Sequence, residues 1–218
     1  MWLGRSRRDE AGRAATVVGV VVVVLVLLAL VVGVVAFAFS VTVQGHSMEP
    51  TLHPGDRLEV DVLHRHDLDR FDLVEAVEPS SPGLHGGADI VKRVIGMPGD
   101  RVAVTGGPHP VVHLRPAGSR QTYVVESSSW SRQVGDRTAG CCRAGGTAAL
   151  DGSTTLHWVT VPAASYWLIG DNWGGSTDSR VFGFVPEQSI KAKLWLRLAP
   201  WSSRGRLANP ARLVPAPA

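Results

Sequence analysis

Lysine is scarce in this 218-residue chain: of 22 basic residues only Lys92, Lys191 and Lys193 are lysines. Cysteine is scarcer still, with Cys141 and Cys142 as the whole complement, which excludes a disulfide-stapled miniprotein. Neither sign of charge dominates, because 22 Lys and Arg face 19 Asp and Glu for a net +3. The arginines are scattered rather than striped, so the composition gives nucleic-acid binding little support. A 44% hydrophobic content excludes a disordered chain. One folded domain with appendages is the expectation, and any lysine in an apolar setting invites a chemical question.

Charge is also missing locally. No charged residue occurs from Ala14 to Ser40, and Val17 to Phe39 is almost wholly Val, Leu, Ala and Phe. At about 1.5 Å per residue such a helix spans a roughly 30 Å hydrocarbon core. The valines are poor helix formers in water, but in lipid every backbone group must bond internally, so a single span is helical. A cleavable signal peptide has an apolar stretch of only about 7–15 residues. Ala36-Phe37-Ala38 mimics its cleavage site, but the run here is longer. Arg5, Arg7, Arg8 and Arg13 precede the span and the next basic residue is Arg57, which places the N-terminus in the cytoplasm. The expected organisation is a cytoplasmic basic segment at 1–13, a transmembrane anchor at 14–40, an extracytoplasmic domain at 41–199 and a disordered Pro/Ala/Arg tail at 200–218. Gly19 and Gly33 are too far apart for a small-xxx-small dimer motif, so no oligomer is expected. Cys141 and Cys142 are adjacent in a Gly-rich stretch, where a structural disulfide would need a strained ring.

Beyond Ser40 the pattern predicts a mostly β domain, with strands at Val41–Val43, Arg57–Val62, Asp72–Val77, Asp89–Ile95, Arg101–Val104, Val111–Leu114, Leu156–Val161, Tyr166–Ile169 and Ile190–Leu198. Pro54-Gly55-Asp56 and Pro98-Gly99-Asp100 each predict a turn in which glycine supplies a positive φ. Pro79–Gly87 and Gly135–Gly152 read as surface insertions.

Three segments carry chemistry. Gly45-His46-Ser47-Met48-Glu49-Pro50 puts Ser47 on a Gly- and Pro-bounded turn after a strand, where its hydroxyl and the backbone amide beside it are presented together. A serine becomes a nucleophile only if a base takes its proton. None of the eight histidines sits in a context that nominates it, and His46, next to Ser47, points to the other face of an extended segment. Lys92 is the better candidate, an amine among β-branched residues in Asp89-Ile90-Val91-Lys92-Arg93-Val94-Ile95. To act as a base near neutrality it must lose about three orders of magnitude in proton affinity, roughly 4 kcal/mol, which burial beside a neutral hydrogen-bond partner can supply. The third segment, Gly170 to Arg180, is dense in residues that bond to backbone.

In order and spacing the three boxes, GHSMEPTL, IVKRVIGMPGDRV and GDNWGGSTDSRVFGFVP, resemble those of the bacterial type I signal peptidases, the Ser/Lys-dyad leader peptidases. The likeness covers Phe39 to Leu198 and implies a signal-peptidase-like β catalytic domain following one transmembrane helix. It further implies that Ser47 is the nucleophile, that Lys92 is the general base and that Ser176 hydrogen-bonds the lysine. Asp178 and Arg180 would shape the site as an ion pair, with Met48 lining the pocket and the strands around Val43 and Val91 binding an extended substrate. Gly45 stands where many Gram-negative members carry a serine as a second oxyanion donor, as in Gram-positive members. Trp173 replaces the usual arginine after GDN, and Val181 the usual aromatic residue; both departures are expected to affect packing. Trp173 is also expected to reach the membrane interface. The function implied is cleavage of signal peptides from exported preproteins at a membrane lipid surface, without metal or cofactor and without nucleic acid. A dedicated peptidase for one substrate such as a pilin or conjugation protein, and a catalytically silent tethered binding module, are the alternatives. His64-Arg65-His66 with Asp67 and Asp69 reads as a solvated polar loop rather than a metal site.

Overall fold

A computed structural model describes residues 3–79, 87–105, 111–130 and 156–217. Cys141, Cys142, the Gly135–Gly152 insertion and all but the ends of the Pro79–Gly87 insertion lie outside the described residues. The chain divides into two units, Met1–Ser40 and Val41–Ala218. The first is one helix, α1 (Leu3–Ala38), whose Arg13–Val35 stretch, 23 residues at mean hydropathy 3.5, is long and apolar enough to cross a membrane.

The second unit contains β1 (Ser40–Thr42), β2 (Arg57–Asp61), β3 (Leu73–Val77), β4 (Asp89–Gly96), β5 (Arg101–Val104), β6 (Val112–Arg115), β7 (Tyr123–Ser127), β8 (Val159–Thr160), β9 (Ser165–Ile169), the short helix α2 (Ser179–Phe182), β10 (Val185–Pro186), β11 (Ile190–Ala199), β12 (Gly205–Arg206) and β13 (Ala211–Pro215). One sheet runs in the order β1-β2-β11-β3-β4-β9-β10, with β12 on β11; the other runs β13-β7-β6-β5-β8. The domain is mostly β, with the predicted strands in place.

Apolar alternation sets the layers. On β9, Trp167 and Ile169 enter a core shared with Val102, Val104, Leu114 and Val125 of the second sheet, whereas Tyr166 and Leu168 join Val74, Ala76 and Val94 on the opposite face. A strand buried on both faces has no polar alternation, which is why Tyr166–Ile169 reads as a continuous apolar run. Gly96 sits where a Cβ would lie 2.9 Å from Trp167 Cβ and 3.0 Å from Val161 Cγ2, so glycine lets these layers close. Both predicted Pro-Gly turns form, with Gly55 at φ 91° and Gly99 at φ 83°. A third core, Val43, Met48, Leu52, Leu58, Leu73 and Leu194, lies beneath the segment that bears Ser47.

The segment after Pro200, expected as a disordered tail, is a correction. Gly205–Arg206 pairs with β11, and β13 forms five register pairs with β7, from Ala211 opposite Ser127 to Pro215 opposite Tyr123. Proline is tolerated there because it ends an edge strand, and Leu213 packs on the shared core, which composition alone conceals. The Leu156–Val161 strand shortens to Val159–Thr160, bounded by Pro162.

Deleting residues 211–218 should strip β7 of its outer neighbour and expose Val125. The expected loss is about 2–3 kcal/mol, or roughly 5–10 °C in Tm by calorimetry. An unchanged Tm would show that β13 contributes nothing to the fold.

Candidate active site

The segment between β1 and β2 is folded back on itself. The Val43 amide donates to the Asp56 carbonyl at 2.8 Å and the Gly55 amide to the Val43 carbonyl at 3.0 Å, closing a loop whose interior winds one helical turn through Glu49 N to His46 O (3.1 Å) and Leu52 N to Met48 O (2.9 Å). Met48 and Leu52 fasten that turn to the apolar core beneath it. Gly45 enters it at φ 79°, a conformation in which any Cβ is strained. The backbone itself thus favours glycine over serine at position 45. Ser47 stands at the start of the turn.

Lys92 reaches this serine from β4. Its residue is 3% exposed, and Nζ donates to Ser47 Oγ at 2.7 Å. Burial pushes the Lys92 pKa below the ordinary lysine value; the negative charges of Asp178 and Glu78 oppose that shift and the positive charge of Arg180 assists it. Asp178 is the larger of the two opposing charges, yet burial outweighs it, and its carboxylate is already engaged. Oδ1 accepts from Arg180 Nε and Oδ2 from Arg180 Nη2, each at 2.8 Å, while Oδ2 also accepts from Gly170 N at 3.0 Å. With the amine unprotonated, the same 2.7 Å contact runs from hydroxyl to lone pair, and it is then a proton-transfer path.

The loop after β9 holds both partners. Asp171 takes Arg93 in a two-pronged pair, Nε to Oδ1 at 2.8 Å and Nη2 to Oδ2 at 2.6 Å, with neither side chain exposed beyond 1%. Asn172 grips the Ser47 turn twice: its amide donates to the Ser47 carbonyl and its Nδ2 to the His46 carbonyl, each at 3.0 Å. Arg180 lies 4.3 Å over the Trp173 ring and donates to the Trp173 carbonyl at 2.8 Å.

Thus Ser47, Lys92, Asp178 and Arg180 converge. Ser176 differs from expectation: its Oγ is buried without a hydrogen-bond partner and makes no bond to Lys92. It is pressed instead against Gly170, 2.1 Å from where a Cβ would stand there. Trp173, expected at a membrane interface, is 3% exposed and stacks edge-on against Trp130 at 5.1 Å, so it serves the core. Val181 is exposed, so no packing role follows there. Met48 and Val43 lie in the core as the floor of the site, and both backbone groups of Val43 are already bonded. Val91 is half-buried on β4, which pairs with β3 from Asp89 to Arg93 and with β9 only from Arg93 onward. His64 and His66 are exposed and pair with Asp61 and Glu187. Sequence reasoning missed Arg93, Asp171 and Asn172 as organisers; their adjacency to Lys92 and Gly170 was the available signal.

The family model "Signal peptidase, peptidase S26" matches residues 15–199. The chain is similar to signal peptidase I of Streptococcus pneumoniae serotype 4, 33% identical over 180 residues, covering 76% of this chain and 84% of that protein. It is also similar to signal peptidase I of Leptolyngbya laminosa, at 29% over 77% and 72% of the two chains. The mitochondrial inner membrane protease subunit 1 of Xenopus tropicalis is 31% identical over 77% of this chain and 72% of its own. A crystal structure of a signal peptidase I from Enterococcus faecalis covers 58% of this chain and 96% of its own, at 22% identity and a TM-score of 0.38.

Two outcomes are expected from this geometry. Acylation of Ser47 by a serine-reactive probe should accelerate as pH rises, with a midpoint well below the ordinary lysine range; a midpoint inside that range would refute a neutral Lys92. The linked stability term has the same sign. Lys92 binds its proton less tightly folded than unfolded, so stability rises with pH between the folded and the ordinary lysine pKa. Gly170→Ala places a Cβ 2.4 Å from the Ser47 carbonyl, and the same labelling rate should fall about 100-fold. A normal rate in that variant would show that the turn can yield.

Proposed function

The chain belongs to the signal peptidase family, peptidase S26, and from that premise we infer that it is a membrane serine endopeptidase that cleaves signal peptides from preproteins. The observation that carries the chemistry is the 2.7 Å contact between a buried lysine amine and Ser47 Oγ.

In the mechanism we propose, neutral Lys92 takes the Ser47 hydroxyl proton as Oγ bonds to the scissile carbonyl carbon. The resulting oxyanion is met by the Ser47 amide, a donor fixed in advance by the turn. Collapse breaks the C–N bond, and the Lys92 ammonium gives its proton to the departing amine. Water then attacks the ester, losing a proton to Lys92, and Ser47 Oγ leaves with a proton returned from the same amine. One group thus serves as base and acid in both halves of the reaction.

Substrate binding follows from the sheet. Next to Lys92, the segment Asp89–Lys92 has β3 on one side and, among the described residues, no strand on the other. An extended peptide adding there would lay its scissile bond across the dyad. Val91 would contribute to that groove, with Met48 and Val43 supporting it from below.

The proposed topology has residues 1–13 in the cytoplasm, 14–40 in the bilayer and the catalytic domain from residue 41 outside the cell membrane. Such an anchor confines the enzyme to the plane that already holds the apolar segment of its substrate, raising effective concentration without any new contact. Exported preproteins as a class, rather than one dedicated substrate, are the proposed clientele, and the enzyme acts as a monomer without metal or cofactor.

Preprotein cleavage by the full chain in detergent or vesicles tests the dyad. Ser47→Ala and Lys92→Ala should each abolish cutting, leaving at most about 10⁻³ of the rate. Retained cutting in either variant would overturn the mechanism.

A further inference from the structure

One charged side chain touches the nucleophile turn from a direction that the three motif boxes do not cover. Along β11 the register with β2 runs Leu194 opposite Val60 and then Arg197 opposite Leu58, three residues facing two. That bulge reverses the alternation of the strand, so Arg197 shares the inward face of Leu194 and Leu58, both members of the core beneath Ser47. There its Nη2 donates to the Thr51 carbonyl, at the far end of the turn that Ser47 begins. Its Nε lies 3.0 Å from Asp56 Oδ2, whose carboxylate also accepts from the His53 amide at 3.0 Å.

We propose that Arg197, braced by Asp56, is a positioning residue that fixes the exit of the nucleophile turn, as Asn172 fixes its entry, and so holds Ser47 Oγ at its working distance from the base. The proposal rests on Ser47 being the nucleophile. A planar guanidinium suits the task because Nη2 hydrogen-bonds the Thr51 carbonyl while the Asp56 carboxylate, 3.0 Å from Nε without a hydrogen bond, holds the charge in place. Loss of this brace frees the Thr51 carbonyl end while Met48 and Leu52 still hold the turn to the core, so the protein folds but Ser47 drifts.

The molecule contains its own control. The other Pro-Gly-Asp turn places Asp100 in an equivalent position, accepting from the Met97 amide at 2.7 Å and paired with Arg70 at 2.5 Å, but it joins β4 to β5, and among the described residues its carboxylate bonds Arg70, Met97 and Ala117 and none of the Ser47 turn. An arginine that merely neutralises a buried turn aspartate predicts the same phenotype at both turns.

The test uses the full chain in detergent micelles, with a soluble peptide for kcat and KM and a serine-reactive acylating probe for the labelling rate of Ser47. Arg197→Met and Asp56→Asn should each lower kcat and the labelling rate in parallel by ~10- to 100-fold, with KM unchanged and the pH midpoint unmoved, because Lys92 is untouched. The double variant should be no worse than either single one. Arg197→Lys should recover part of the rate, and it carries the test if Arg197→Met does not fold. Arg70→Met and Asp100→Asn should lower Tm while leaving kcat per folded molecule as in the parent. Full kcat in Arg197→Met or Arg197→Lys, or a loss confined to Tm as at the control turn, would overturn the proposal. Mass-spectrometric mapping of the probe keeps the two questions apart: an adduct on a residue other than Ser47 in the parent protein would instead refute the nucleophile assignment.

Discussion

Everything chemical in this molecule depends on keeping one amine dry. An ammonium removed from water without a carboxylate partner is disfavoured by several kcal/mol or about that order, and the group responds by giving up its proton. Lys92 and Arg93 are consecutive on β4 and both are buried, yet they resolve the same problem in opposite ways. Strand alternation sends Arg93 to Asp171, where two parallel hydrogen bonds meet its charge, and sends Lys92 to a hydroxyl that offers no negative charge. A guanidinium cannot be neutralised in a protein and an amine can, so the order of these two residues decides which face of the strand carries a titratable base.

The nearby charges are arranged so that this answer is not undone. Asp178 would by itself draw a proton back onto Lys92, but both of its oxygens are engaged by Arg180, and one also accepts from the Gly170 amide. Arg180 is in turn held by the Trp173 ring and by the Trp173 carbonyl. The tryptophan that replaces a customary arginine thus serves as packing for a different arginine, and Trp130 carries that packing to the loop after β7.

Much of this was legible in the sequence, and the limits were physical. Strands such as Tyr166–Ile169 announced themselves because burial on both faces leaves only apolar residues, and the two Pro-Gly turns did so because few residues accept a positive φ. The segment after Pro200 did not, because β13 draws its order from β7 and not from its own Pro, Ala and Arg composition. Ser47 and Lys92 stood out by residue type and setting. Asn172 and Arg197 act through backbone carbonyls, contacts that leave no pattern in residue spacing; Arg197 further requires a bulge that no propensity forecasts. The orphaned hydroxyl of Ser176 illustrates the converse. A matching motif position fixed the residue type but not the direction in which its side chain turned.

Buried ion pairs are poor devices for stability, since apolar side chains of similar volume often do as well. Their concentration around this site therefore calls for another reason. Arg93–Asp171 joins β4 to the loop after β9, Arg180–Asp178 sets the shape of that loop, and Arg197–Asp56 ties β11 to the segment behind Ser47. The first two fix direction as well as distance through paired hydrogen bonds, and Arg197 does so through its bond to the Thr51 carbonyl, which contacts between methyl groups cannot do. A proton path of 2.7 Å tolerates little drift, and a displacement of about 1 Å can cost a hundredfold in rate. The apolar cores bring the turn and the strand into proximity, and the charged braces convert that proximity into alignment.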